Sequence, residues 1–437
     1  MTGSERPALA RVIGVRALTL SVVNVVIGSA IFVVPAGVAL EMGSTAVVAY
    51  LVAAALVLLV ALCFAEAASR VTATGGAYAY VERAFGPGPG FVVAWLQWLA
   101  NGAVSSATVA NALVGTLSVL APVLGAGVPR LAVMAVVFGG LAWINVRGTR
   151  EGVRAVVVLT VLKLVPILLL LAWGAHLIQP AQLAWTDPIR MGGFGRALLL
   201  LVFGLTGMEI ALTPTGEVTN PSRTVPIAAV TGVGIGAGLY VAMHLLAQGV
   251  LGPELARFQE APLAEVAARV FGSGGRFLML AATLMSTLGF LSGDMLATPR
   301  SIHALAEDGL MPAWLGRIHP RFRTPHLAVI AYVALTAVIA AAGSFAQLAM
   351  LNAIGVLVIY LGVVLSLFKL RRERVTADRE PILMPGGPVI PVVALLLVIG
   401  LLWVAPIEQQ LAGLGFVVLC AIIYRLRRWA SGGTRSR

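Results

Sequence analysis

The feature that most limits what this chain can become is the recurrence, from end to end, of apolar windows of about 20 residues, the length a helix needs to cross a bilayer core. Windows near 17–40, 45–69, 89–119, 130–146, 154–178, 196–215, 225–251, 276–303, 326–342, 346–368, 387–406 and 409–426 predict an all-α integral membrane protein with twelve transmembrane helices. With 59% hydrophobic and 11% charged residues, too little polar surface exists to cover a soluble globule. The stretches between windows are too short to hold a core, so function has to reside in the helices. Cys63 and Cys420 both fall inside apolar windows and form neither a disulfide framework nor a metal-binding pair. Basic residues precede the first window as in a signal peptide, but the window's length and its central polar break predict a retained helix.

The formal charge of +12 raises the question of a nucleic-acid partner, and its distribution argues against one. Of the 30 lysines and arginines, 23 fall in the two tails and every second loop, among them Arg70, Arg83, Arg147, Arg223, Lys369 and Arg371. The intervening loops hold six: Arg130, Arg190, Arg196, Arg257, Arg269 and Arg276. That asymmetry places both termini in the cytoplasm and reads as membrane topology. The basic stretches 369–379 and 425–437 are either solvated loops or contacts for anionic lipid.

Two windows are interrupted. "VVNVVIGSAIF", residues 22–32, puts Gly28 and Ser29 in the middle of the first, with Pro35 following. Irregular backbone persists at membrane depth only where protein or a polar cavity satisfies its N–H and C=O groups, so the stretch predicts a site. In "LVFGLTGMEIALTPTGE", residues 201–217, Gly204 and Gly207 bracket Thr206, and Pro214 and Gly216 end the sixth window. The first and sixth windows hold the same place in successive sets of five, the pairing expected of inverted repeats with discontinuous helices. The glycines of "GVGIGAG", 232–238, read instead as close helix packing. A half-helix N-terminus offers free N–H groups and a positive dipole end, which suits a carboxylate. Free carbonyls ending the preceding half suit an ammonium. Two facing breaks can therefore hold the zwitterion of an α-amino acid without a charged side chain.

These stretches, together with "FAEAASRVTATGGAYAYVERAFGPGPGFVVAWLQW" and "TPRSIHALAEDGLMP", resemble the motifs of the amino acid, polyamine and organocation superfamily of transporters. The resemblance implies a LeuT-type fold, a 5+5 inverted repeat with discontinuous helices 1 and 6 plus helices 11 and 12. The expected organisation is a cytoplasmic tail at 1–16, a ten-helix transport core at 17–369, the extra pair at 387–426 and a tail at 427–437. The resemblance also implies a substrate carboxylate on Ser29 and the amides of Gly28 to Ala30, and an amine on carbonyls around Val26, Phe203 and Thr206. Ala30 departs from the glycine common in the family, which narrows backbone freedom there. Phe203 resembles the aromatic that closes over substrate, and Asn101 matches a contact position for the substrate side chain in the arginine branch; helix three is otherwise apolar nearby, so a small or apolar substrate side chain fits equally well.

Ionisable residues inside helices are expensive and point to function. The chain has 28 arginines and two lysines, and one of those lysines, Lys163, lies mid-span. Snorkelling to an interface is the plain alternative. The resemblance implies that the Lys163 ammonium takes the place of a sodium ion between helices one and eight, so no sodium is expected. Asp294 falls near a position that bears a substrate-facing aromatic in relatives; it would meet a cationic group of the substrate, act as a protonatable carrier, or pair helices. Glu209 resembles a carboxylate linked to pH response, and Glu217 reads as a cap or gate partner. His176 and His244 read as interface or packing residues.

The function expected is sodium-independent secondary active transport of amino acids across the bacterial cytoplasmic (inner) membrane by alternating access, with proton-coupled uptake. Coupling and gating fall to Lys163, Glu209, Phe203 and Asp294. Exchange, polyamine or amine transport, and amino-acid sensing without net transport are the alternatives. A membrane-embedded enzyme is disfavoured, since no HExxH, GxSxG or paired-aspartate motif occurs. No cofactor or metal is expected beyond a proton as coupling ion. The partners are the substrate and the bilayer, with helices 11 and 12 as a candidate homodimer face.

Overall fold

A computed structural model describes residues 13–431 apart from 74, 148–151, 190, 213–217, 308, 310, 378–379 and 385. The first window forms two half-helices, α1 (Val15–Ile27) and α2 (Val34–Met42), with a 3-10 turn over Ala30–Phe32 between them. α1 stops because Gly28 takes φ 44° and ψ −147°, a conformation that a side chain resists. α2 restarts with Pro35 in its first turn, where a missing N–H leaves no bond unmade. α3 (Ala46–Arg70) and the short connector α4 (Ala77–Phe85) follow.

The third window departs from the unbroken helix its hydropathy predicts. α5 (Pro87–Leu96) passes into α6 (Ser105–Leu120) through π-helical turns over Gln97–Val104. Next come α7 (Gly127–Arg147) and α8 (Gly152–Gly174). The sixth window breaks as its sequence predicts: α9 (Met191–Leu205) ends, Gly207 adopts φ 114°, and α10 (Met208–Ala211) restarts. α11 (Pro221–Leu251) leads to α12 (Pro262–Glu307), which joins a short helix ahead of the eighth window to that window across a kink at Gly272. α13 (His326–Ala342), α14 (Phe345–Arg372), α15 (Val389–Val404) and α16 (Ile407–Ser431) complete the chain. Ser344 and Gln347 close a capping box at the start of α14.

Among the described residues, eight helices are long and apolar enough to cross a membrane, four shorter apolar helices accompany them, and one isolated bridge, Ile13 to Val218, is the nearest approach to a strand. α1 and α3 pack on α11, α2 and α3 on α9, α6 and α8 on α12, and α14 on α6 and α9. α15 and α16 lie outside this core against α3, α5 and α14, and turn Leu396 (64% exposed) and Trp403 (82%) outward. Cys63 and Cys420 are buried and unpaired, and His244 stacks on Tyr50 with ring centroids 4.2 Å apart, a packing role.

Two arginines that read as topology markers also serve an internal carboxylate. Glu66, with no exposed surface, is gripped by Arg70 at 2.8 Å and by Arg371 at 2.6 Å, and accepts from the Met384 amide at 3.3 Å. The Ile382 amide donates to Ser69 at 3.1 Å, so the segment before α15 is fastened across the end of α3. Glu217, Pro214 and Gly216 lie outside the described residues, as do Arg6, Arg11 and Arg190.

Candidate functional site

The two breaks face each other. A Cβ on Gly207 would lie 2.4 Å from Val25 Cγ1, so the sixth-window interruption packs directly on the last turn of α1, and only glycine permits both the approach and the φ of 114°. Between them is a pocket of about 30 Å³ lined by Gly28, Ser29, Ala30, Asn101, Phe203 and Thr206. The Ser29 and Ala30 amides donate to no protein acceptor among the described residues, which leaves two N–H groups at the head of the turn for an anion.

The carbonyls of the same break are satisfied from three other helices. Lys163 Nζ on α8 donates to the Asn24 carbonyl at 2.8 Å, the Tyr240 hydroxyl on α11 to Ile27 at 3.3 Å, and Ser286 Oγ on α12 to Gly28 at 2.8 Å. Irregular backbone survives at this depth because each of these groups has a partner. The Lys163 ammonium meets the carbonyl end of α1, where the helix dipole favours a cation. Its side chain is 6% exposed, so it does not snorkel to an interface. Val26 turns its side chain toward α11, where a Cβ on Gly236 would lie 2.5 Å from Val26 Cγ1; its neighbour Val25 lines the pocket instead. The Phe203 carbonyl already accepts from Thr206 Oγ1 at 2.8 Å.

Glu209 closes the other side of the break. It has no exposed surface and accepts from the Gly207 amide at 3.0 Å, from Asn101 Nδ2 at 3.0 Å and from the Tyr360 hydroxyl at 3.1 Å. Asn101 reaches it from the π-helical turns of the third window, a kind of helix irregularity that recurs at functional sites.

A larger cavity of about 240 Å³ adjoins the pocket, sharing Val25, Gly28, Ile210 and Phe290 with it, and both Lys163 and Asp294 line it. Asp294 accepts from Ser106 Oγ and Thr298 Oγ1, each at 2.7 Å, and from the Tyr332 hydroxyl. Phe203 meets Phe345 edge to face, with centroids 5.8 Å apart. Sequence reasoning missed Val25, Ser106, Tyr332, Tyr360 and Phe345. The polar run "SSATVAN" at 105–111 inside an apolar window was a legible sign of the first hydroxyl, whereas lone aromatics in apolar helices look like any core residue.

An all-helical membrane chain whose broken helices enclose a polar pocket beside a larger cavity is of the transporter class. The chain belongs to the amino acid permease family, whose model matches residues 13–424. It is 29% identical over 395 residues to the serine/threonine exchanger SteT of Bacillus subtilis, 87% of each chain. It is 26% identical over 428 residues to the branched-chain amino acid permease BcaP of the same organism, covering 92% of this chain and 90% of the relative. Family and relatives together identify a transporter, not an enzyme.

Proposed function

We propose that this protein moves α-amino acids across the bacterial cytoplasmic membrane by alternating access without sodium, driven by protons. Its spans would number twelve, with both termini cytoplasmic: ten in a five-plus-five core whose first and sixth members are broken, and α15 and α16 as an outer pair and candidate dimer face. The observation that carries this reading is the pair of facing breaks, with the Ser29 and Ala30 amides unbonded among the described residues above a pocket that Thr206, Asn101 and Phe203 complete. The pocket has room for no more than a few waters, so seating a substrate requires the breaks to part.

Lys163 supports sodium independence, because its ammonium already binds the Asn24 carbonyl between α1 and α12. Asp294 suits the proton-carrying role because it lines the larger cavity, whereas Glu209 has no exposed surface. A polyamine would leave the Ser29 and Ala30 amides unused. The test is uptake of labelled neutral amino acids into liposomes under an imposed pH gradient without sodium. Accumulation that follows the gradient, and a D294N variant that keeps counterflow exchange but loses the gradient response, are the expected results; accumulation in D294N equal to wild type, or a sodium requirement, would overturn them. Obligatory exchange is the second reading, favoured by the likeness to a serine/threonine exchanger, and it predicts uptake only into preloaded liposomes.

A further inference from the structure

On one outer flank, α4, α5, α14 and α16 leave an apolar groove of about 780 Å³ between them. Val81, Val92, Leu361, Leu365 and Val417 form walls, and Gly88 and Gly362 set its depth. A Cβ on Gly362 would come within 3.2 Å of Val81 Cγ2, and one on Gly88 within 3.3 Å of the Tyr424 ring. No residue of the groove lines either central cavity. Its volume lies within the range of about 300–1,000 Å³ typical of small-molecule sites.

The lining changes character where Phe85, Tyr424 and Arg425 contribute to it. Lys369 Nζ stands 5.6 Å from the Phe85 ring centroid. Glu373 is shared at 3.9 Å by Arg83 and at 3.7 Å by Lys369, while Glu82 packs its stem on Gly90. Arg425 is exposed and has no carboxylate partner among the described residues. One turn beyond it, Trp429 is 85% exposed, and an indole so placed marks headgroup depth. The groove thus runs from hydrocarbon depth to a mouth at the interface with more cations than nearby acids.

We propose that the groove binds a phospholipid with an anionic headgroup, an acyl chain lying along the valine and leucine walls and the phosphate at Arg425. A neutral hydrocarbon would leave the cations unused, and a soluble anion would have no use for the groove. Anionic lipid is the bilayer component that matches both, and basic residues at the cytoplasmic interface attract it.

The test is thermal unfolding of the full-length protein in neutral detergent, titrated with phosphatidylglycerol and separately with phosphatidylcholine. Phosphatidylglycerol is expected to raise the midpoint at a concentration at least tenfold below that needed for phosphatidylcholine. R425Q should abolish that preference while keeping the response to phosphatidylcholine. L365W, on a wall residue 38% exposed and so able to accept a larger side chain, should block both lipids. Equal responses of the wild type to both lipids, or an intact preference in R425Q, would overturn the proposal. So would a wild-type dimer that L365W converts to monomer, since a second copy would then be what covers the groove.

Discussion

Two carboxylates lie deep among the helices near the breaks, and they are held by different kinds of partner. Glu209 accepts from a backbone amide, from an asparagine Nδ2 and from a tyrosine hydroxyl, and no part of it reaches a surface. Asp294 accepts from Ser106, Thr298 and Tyr332, all hydroxyls, and lines the larger cavity. An amide N–H can only donate, whereas a hydroxyl rotates to donate or accept. Gly207 and Asn101 both donate to Glu209 Oε1, which is therefore an acceptor in either protonation state, and only Oε2 faces a hydroxyl, that of Tyr360. All three named partners of Asp294 can follow a proton by turning, against one of the three named around Glu209, so the carboxylate at the sixth-window break is the more rigidly held of the two.

The largest effect should come from removing the more rigidly held carboxylate. Glu209→Ala would orphan the Gly207 amide, Asn101 and Tyr360 at once, each unsatisfied buried group costing about 1–3 kcal/mol, so little folded protein is expected. Melting in detergent, with E209Q as an intermediate case, measures it. A Glu209→Ala variant that melts like wild type would remove the basis of the comparison.

Next in size is Lys163, which links α8 to the carbonyl end of α1. Lys163→Met should leave the fold largely intact, since a charged hydrogen bond contributes about 1.5–3 kcal/mol. Transport should nevertheless fall at least tenfold, because the hydrogen bond that ties the first break to α8 is then lost. Uptake per folded molecule, counted by binding or by monodisperse yield, separates the two effects.

Asp294→Asn should cost less than either, under about 1.5 kcal/mol, because each hydroxyl around it can reorient to the new amide. Its signature is functional: the response of uptake to an imposed pH gradient disappears while counterflow persists. Equal loss of both activities would give Asp294 a structural role like that of Glu209.

The contrast between these sites also shows what a sequence can disclose. A charged side chain in an apolar run is conspicuous, so Lys163, Glu209 and Asp294 were legible as residues, and the glycines of both breaks were legible because nothing else explains them at membrane depth. Of the six named donors to these carboxylates, the Gly207 amide and Thr298 are local and the other four come from helices distant in sequence. Ser106 is 188 residues from Asp294, and Tyr360 is 151 from Glu209, separations that no local pattern encodes. The π-helical turns at Gln97–Val104 were invisible for another reason: a helix register slip leaves hydropathy unchanged and needs no proline. Arg70 and Arg371, counted in the sequence as topology markers, also grip Glu66, and charge counting gives no sign of that.

The finest test compares two tyrosines. Tyr332→Phe and Tyr360→Phe each delete one hydroxyl donor to a carboxylate, and each should cost about 0.5–1.5 kcal/mol, so melting alone will not tell them apart. Their functional consequences should differ. Y332F removes one of the three rotating groups around Asp294 and should shift the pH dependence of uptake, because the balance between its protonated and ionised forms depends on donors that this ring supplies. Y360F leaves the two N–H donors, Gly207 and Asn101, on Glu209 Oε1, and its uptake should fall or hold by a similar factor at every pH. A pH profile displaced in Y360F but not in Y332F would reverse the two roles, giving the proton to the carboxylate at the break and leaving Asp294 as the link between α6, α12 and α13.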